Sequence, residues 1–328
     1  MQAKRGPTAL IMACQEGHNE VVEILLSHSD IAINTKDEDS STALFLASQN
    51  GHDSIVKLLL SRPGIAVNAQ TKRGATALIV ASQNGHDKVV NLLLSHPDTT
   101  ISTQDEDGWT ALVSASDHGH DAVVKLLLSQ SDISINSQST QRGVTALIMA
   151  SENGHDAVVK LLLSQTDIAV NLQTGGGWTG LMLACLKGHD TVVELLLAHT
   201  KIAINTQSKR GATALIVSSQ DGRDEVVKEL LSRPDIAINT QDEDGASQNG
   251  HGAVVKHLLG HPDIFVNTQD EDGWTSLISA ASDNGHDAVV KLLLDRTDIA
   301  IDTQNKQGAT ALNLASWNHH DAVVILLS

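Results

Sequence analysis

The chain is almost without aromatic residues: they make up 2% of its 328 positions, with no tyrosine and two phenylalanines. An aromatic-rich core is excluded, and the interior must be assembled from Leu, Val, Ile and Ala. Cysteine is scarce as well. Cys14 and Cys185 occupy corresponding positions five repeats apart, too distant in a linear stack to reach one another, and they read as small reduced core residues rather than a disulfide or metal pair. There is no basic-then-apolar leader and no N-glycosylation sequon. No apolar run approaches the ~20 residues that a membrane span needs. The expectation is a soluble intracellular protein, cytoplasmic with the nucleus open, and no membrane partner. Positive charge is also in deficit, 22 Lys and Arg against 39 Asp and Glu for a net charge of −17. That argues against nucleic acid, whose phosphates require basic surface.

What the chain does have is repetition. From Gly6 onward a segment Gly-x-Thr-Ala-Leu, a second apolar stretch, Asn-Gly-His-Asp and Val-Val-Lys-Leu-Leu-Leu recurs about ten times. Its threonine falls at Thr8, Thr42, Thr76, Thr110, Thr145, Thr179, Thr213, Thr275 and Thr310, usually 34 residues apart. A unit of that length cannot bury its own apolar face, so successive units must stack into one array spanning 1–328. The product of such a stack is an extended surface rather than a pocket.

The copy from Gln104 to Ser137 shows how each unit is built. Asp105-Glu106-Asp107-Gly108 is turn chemistry, and Thr110 is placed to cap a short helix with Ala111, Leu112 and Ala115 on one face. Gly119 ends that helix. His120-Asp121 opens a second one, where Asp121 sits at the positive end of the helix dipole and Val123, Val124, Leu127 and Leu128 form the apolar stripe. Asp132-Ile133-Ser134-Ile135-Asn136 alternates with period two and predicts an extended finger arm. Helices this short fall below the ~12 to 15 residues that isolated helices need, so stacking must stabilise them.

These residues resemble the ankyrin repeat, with its Thr-Pro-Leu-His-x-Ala signature followed by Gly-His and Val-Val-x-Leu-Leu. The resemblance covers essentially the whole chain. The family's Pro is Ala in most copies here and its His is Ile, Val, Met, Phe or Asn, as in Thr42-Ala43-Leu44-Phe45. It implies an all-α solenoid, elongated and curved, of helix-turn-helix units with extended fingers. One copy is damaged: Gly245 and Gly273 are 28 residues apart, six residues of a first helix are missing, and Gly252 and His257 replace the usual Asp and Leu. The stack is expected to be weakest over 242–252.

Catalytic chemistry finds no support in the sequence. Nine histidines, from His18 to His320, hold the Gly-His slot, and His118-x-His120 and His319-His320 lack the further convergent ligands of a zinc site. The acidic triads beginning at Asp37, Asp105, Asp242 and Asp270 lack the twelfth-position Glu of a calcium loop. Gly175-Gly176-Gly177 leads into Trp-Thr-Gly rather than a phosphate-binding Lys. No nucleophile and base recur together. The chain is read as no enzyme, with no cofactor and no metal.

The fingertips change sign along the chain. Lys4-Arg5, Lys72-Arg73, Arg142 and Lys209-Arg210 are basic; Asp37-Glu38-Asp39, Asp105-Glu106-Asp107, Asp242-Glu243-Asp244 and Asp270-Glu271-Asp272 are acidic. Neighbouring tips either neutralise one another, at no more than ~1 kcal/mol per exposed pair, or present a charge code to a partner. The two successive acidic tips at 242–244 and 270–272 favour a partner with a basic surface. The family binds through its fingertips, the residue before the Thr and the two residues before the Gly-His. Trp109, Trp178 and Trp274 hold the position before Thr and Trp317 a position before the Gly slot, where tryptophan either anchors a partner or packs on the neighbouring finger. The resemblance thus implies a protein-binding scaffold. An alternative is that the chain is the recognition array of a larger signalling NTPase or enzyme. The apolar termini, Leu10-Ile11-Met12 and Ala322 to Leu327, predict end-to-end self-association.

Overall fold

The structure is a computed structural model that describes residues 7–240, 252–282 and 286–328. Among these residues there are nineteen α-helices and no strand. Two compact units are present, residues 1–175 and 176–328, and each is a stack of helix pairs.

Every first helix starts for the same reason. The hydroxyl of the repeat's Thr accepts the N–H three residues on, as from Val113 to Thr110 at 3.2 Å and from Ile278 to Thr275 at 3.2 Å. That satisfies one of the donors a helix start leaves open. The first helices up to Ala214–Gln220 are each followed by a glycine in the left-handed region, such as Gly119 at φ 73°, and Ala311–Trp317 is followed by His319 at φ 61°. The second helices other than Gly252–Leu259 carry an acid in their first turn, Asp121 for example, at the favourable end of the dipole.

In residues 1–175 the first helices stack in order, Ala9–Gln15 on Ala43–Gln49, Ala77–Gln83, Ala111–Asp117 and Ala146–Glu152, and the second helices form a parallel row from Asn19–Leu26 to Asp156–Leu163. The first helices are buried nearly all round, not on one face. In Ala111–Asp117 every residue from Ala111 to Ser116 is buried, because the helix is flanked by a neighbour on each side and backed by its partner. Small residues such as Ala115 and Ser116 lie buried beside the larger Leu112 and Val113. The second helices keep a one-sided stripe: Val123, Val124 and Leu127 are fully buried, whereas Leu128 is half-buried.

Residues 176–328 keep the second-helix row without a break: Asp190–Leu197, Asp224–Leu231, Gly252–Leu259, Asp287–Leu294 and Asp321–Leu327 pack in sequence. First helices Gly180–Lys187 and Ala214–Gln220 pair, as do Ser276–Ser282 and Ala311–Trp317. The shortened segment that the sequence places at 242–251 lies outside the described residues.

The finger arms keep the expected alternation. The period-two alternation is real as burial, with Ile65 and Val67 buried and Ala66 exposed, but it does not form strands. Asparagine side chains take the place of ladder bonds. Asn34 Nδ2 donates to the Gly64 carbonyl at 2.8 Å and its Oδ1 accepts from the Ala66 N–H at 2.9 Å. The pattern recurs at Asn68, Asn136, Asn205, Asn239 and Asn267, with Ser102 standing in once.

Candidate binding surface

The fingertips are fixed to one another by backbone bonds. Lys72 N–H donates to the Asp39 carbonyl at 2.9 Å, Glu106 to Arg73 at 3.0 Å and Thr140 to Asp107 at 3.0 Å. In residues 176–328, Lys209 donates to Gly176 at 3.0 Å and Lys306 to Asp272 at 2.9 Å. Within the described acidic triads the first carboxylate is spent on the turn. Asp105 Oδ1 accepts from Asp107 and Trp109 N–H at 3.0 and 2.8 Å, and Asp270 Oδ1 does the same for Asp272 and Trp274 at 2.9 and 2.8 Å. Thr71, Ser139 and Ser208 do this work at other tips with a hydroxyl. The remaining tip side chains face outward: Lys72, Arg73, Glu106, Lys209, Arg210, Glu271 and Asp272 are exposed and Asp107 is half-buried.

Some of that charge is matched between neighbours. Arg73 lies 3.5 Å from Asp107, and Arg142 folds back onto Glu152 of its own repeat at 3.2 Å. These are exposed pairs, so each contributes little to stability. Glu243 and Asp244, the other acidic tip, lie outside the described residues, as do Lys4 and Arg5. The tryptophans separate into two kinds. Trp109, Trp178 and Trp274 are half-buried, and Trp274 packs against the core that includes Leu277 and Ile278. Trp317 is 80% exposed.

Sequence reasoning missed the second function of the Asn-Gly-His motif. The His ring does not cap its own helix; it reaches back one repeat. His86 Nε2 lies 3.0 Å from the Gln49 carbonyl, and Asn84 Nδ2 donates to the same oxygen at 2.9 Å. His52, His120, His155 and His320 repeat the contact at 2.9 to 3.1 Å. The ring rests on the preceding repeat's glycine so closely that a Cβ built on Gly85 would meet His120 at 2.6 Å. One of the two positions before Gly-His that the family resemblance assigns to partner contact is therefore engaged internally at Asn84, Asn153 and Asn318. The signal was there to read: Asn-Gly-His recurs unchanged at 50–52, 84–86 and 153–155.

The geometry also answers the metal-like spacing. His118 and His120 stack with ring centroids 6.0 Å apart, and each has a ring nitrogen 3.0 Å from a backbone carbonyl, of Ser114 and Gln83. Among the described residues no group of three or more His, Cys, Asp or Glu could hold a metal ion. Cys14 and Cys185 are buried and unpaired, and burial pushes both thiols up to about 12, so neither is a ready thiolate. Among the described residues no helix is long and apolar enough to cross a membrane.

Comparison with known proteins gives a consistent result. The family description "Ankyrin repeats (3 copies)" matches residues 1–71, 62–139, 78–174, 131–204, 147–242 and 245–328. Among solved structures, the chain is similar to the ankyrin repeat domain of Bcl-3, described as a unique member of the IkappaB protein family. The two share 26% identity and a TM-score of 0.59 over 69% of this chain and 98% of that one. No curated protein matches.

Proposed function

The chain belongs to the ankyrin-repeat family, and from that premise we propose that it is a non-catalytic scaffold binding a partner protein along its fingertips and first-helix face. Ankyrin repeats in general are modules of protein–protein interaction. The observation that carries the reading is that tips within each unit are tied to a neighbour by backbone bonds while Lys72, Arg73 and Glu106 in the first unit and Lys209, Glu271 and Asp272 in the second remain exposed. A display fixed before binding loses little conformational freedom on contact, which favours affinity. Trp109, Trp178 and Trp274 adjoin the tips in sequence and are half-buried, a disposition suited to anchoring. The acidic tip at 270–272 favours a basic patch on the partner.

The test replaces Trp109, Trp178 and Trp274 by Ala, and separately Glu271 and Asp272 by Lys, and measures partner capture from the source cell beside circular dichroism. Loss of capture by folded variants is expected. Unchanged capture by both would remove the reading.

A further inference from the structure

We propose that the first unit binds a second copy of this chain, fingertip to fingertip, about a two-fold axis between the tips at 72–73 and 105–107. The inference rests on the reading above, that the fingertips are a contact face, and names the occupant of the first unit's tips. Four tips follow one another there, and one repeated bond sets each step: Lys72 N–H donates to the Asp39 carbonyl, Glu106 to Arg73 and Thr140 to Asp107. Along that row the charge changes sign at every step. It is acidic at Glu38 and Asp39, basic at Lys72 and Arg73, acidic at Glu106 and Asp107, and basic at Arg142. An alternating row of four is its own complement when turned end for end. A two-fold axis at its middle sets the first tip against the other copy's fourth and the second against its third, so all four contacts pair opposite signs. Such an interface closes after two copies. The order of signs in the second unit is different: basic at 209–210, acidic at 242–244, acidic at 270–272 and basic at Lys306. That order reads the same from either end, and turning it pairs like with like.

The charges of the first unit are available to such a neighbour. Glu38, Asp39, Lys72 and Glu106 are exposed, and none of them enters an ion pair among the described residues. Arg73 meets Asp107 at 3.5 Å with its side chain 82% exposed. Arg142 holds Glu152 through Nη2 alone and is 57% exposed, so its other N–H groups can take a second carboxylate. A single exposed pair contributes little. Tips fixed to one another engage together, and the net charge of −17 disfavours contact between copies through unmatched faces.

The experiment measures self-association of the full chain by sedimentation, at low and high salt, for the wild type and two charge-reversed variants, Lys72→Glu/Arg73→Glu and Glu106→Lys/Asp107→Lys. The wild type is expected to dimerise, and to do so roughly tenfold or more weakly once salt screens the pairs. Each variant alone should associate roughly tenfold or more weakly than wild type, because two of its four contacts now set like against like. An equimolar mixture of the two variants should recover the wild-type association, since every reversed tip then meets its opposite. Circular dichroism verifies that the variants fold, and recovery in the mixture separates a contact between copies from an effect within one chain. A monomeric wild type would overturn the proposal. So would association that reversal leaves unchanged, or a mixture that associates no more tightly than either variant alone. A monomeric wild type whose tips still capture a different protein would leave the scaffold reading standing and remove only the second copy as occupant.

Discussion

Residues 1–175 make every junction in the same way, whereas residues 176–328 change a fastening at nearly every step. In the first unit each His ring sits on a glycine, each finger arm is tied by Asn or Ser, and each second helix after the first buries an aliphatic triplet such as Val89, Val90 and Leu93. In the second unit Arg223 replaces a seated His and lies over Gly188, with its Nε buried and unpartnered. Glu229 stands where Leu58, Leu92 and Leu126 stand. The helix Gly252–Leu259 has no acid in its first turn, and Val254 is its one buried residue. Yet that helix still packs between Asp224–Leu231 and Asp287–Leu294. It is tied in on both sides, by Asn239 to Asp263 and Phe265 at 2.7 and 2.8 Å and by Arg296 to the Leu259 carbonyl at 3.1 Å. The comparison teaches that a junction needs only some of its fastenings, because stability in a repeat stack is a sum of neighbour terms.

The largest contrast should come from alanine at two left-handed glycines, one seated under a His ring and one at an open fingertip. Gly119→Ala places a Cβ 2.6 Å from the His155 ring and forces φ 73° on an L residue. We expect a loss of about 2 to 3 kcal/mol in chemical denaturation, from backbone strain plus the displaced ring bond. At Gly308 a Cβ meets nothing within 4 Å at φ 78°, so the same substitution should cost only the strain, about 1 kcal/mol. Equal losses at the two sites would show that ring seating contributes nothing.

The second prediction addresses the weak point that the sequence places over 242–252. Asn239 ties the two sides of that segment together, so Asn239→Ala removes both a donor and an acceptor beside it. We expect about 1 to 2 kcal/mol of destabilisation, together with a split of the melting curve into two transitions and faster proteolytic cleavage between Asp242 and Gly252. Asn136→Ala, which breaks the same pair of bonds to Asp167 and Ala169, should shift melting without splitting it. A single transition in both variants would deny the segment any special weakness.

How much of this was legible beforehand follows from what kind of interaction each residue makes. Thr110, Gly119 and Asp121 act within their own helix ends, and local rules place them correctly. The Leu and Val stripe of the second helix follows from periodicity in the same way. The Asn34 and His86 fastenings cross from one repeat to the next, and no rule about a residue's own neighbourhood in sequence reveals a partner 30 to 37 positions away. The alternating Ile-x-Ile arm was legible as burial, while alternation leaves open whether the backbone or an Asn side chain makes the bonds. At the candidate surface, the charge sign of each tip was readable. The loss of the first Asp of the described triads to its own turn, and the difference between the half-buried Trp274 and the exposed Trp317, depend on three-dimensional packing.

The smallest expected effect, and the most specific to the second unit, concerns Glu229. Burial, reinforced by the Glu194 carboxylate on the adjoining second helix, holds its carboxyl above the ordinary glutamate range, and Arg233 offsets this only in part. A raised value in the folded state means that the native protein binds this proton more tightly than the unfolded chain does. The ionised side chain therefore weakens the fold in full at neutral pH. The penalty shrinks as pH falls through the raised folded value and is gone below the unfolded one. Glu229→Gln removes the charge and keeps the shape, so it should stabilise the second unit at pH 7 by less than about 1 kcal/mol, the half-exposed setting screening the repulsion. Its advantage over wild type should fade in mildly acidic buffer. Glu194→Gln should recover part of the same gain, and the double variant should gain less than the sum of the two, because each substitution relieves one shared repulsion. A Glu229→Gln advantage that stays constant from pH 7 down to pH values below the ordinary glutamate range would show that the charge is not what costs stability there.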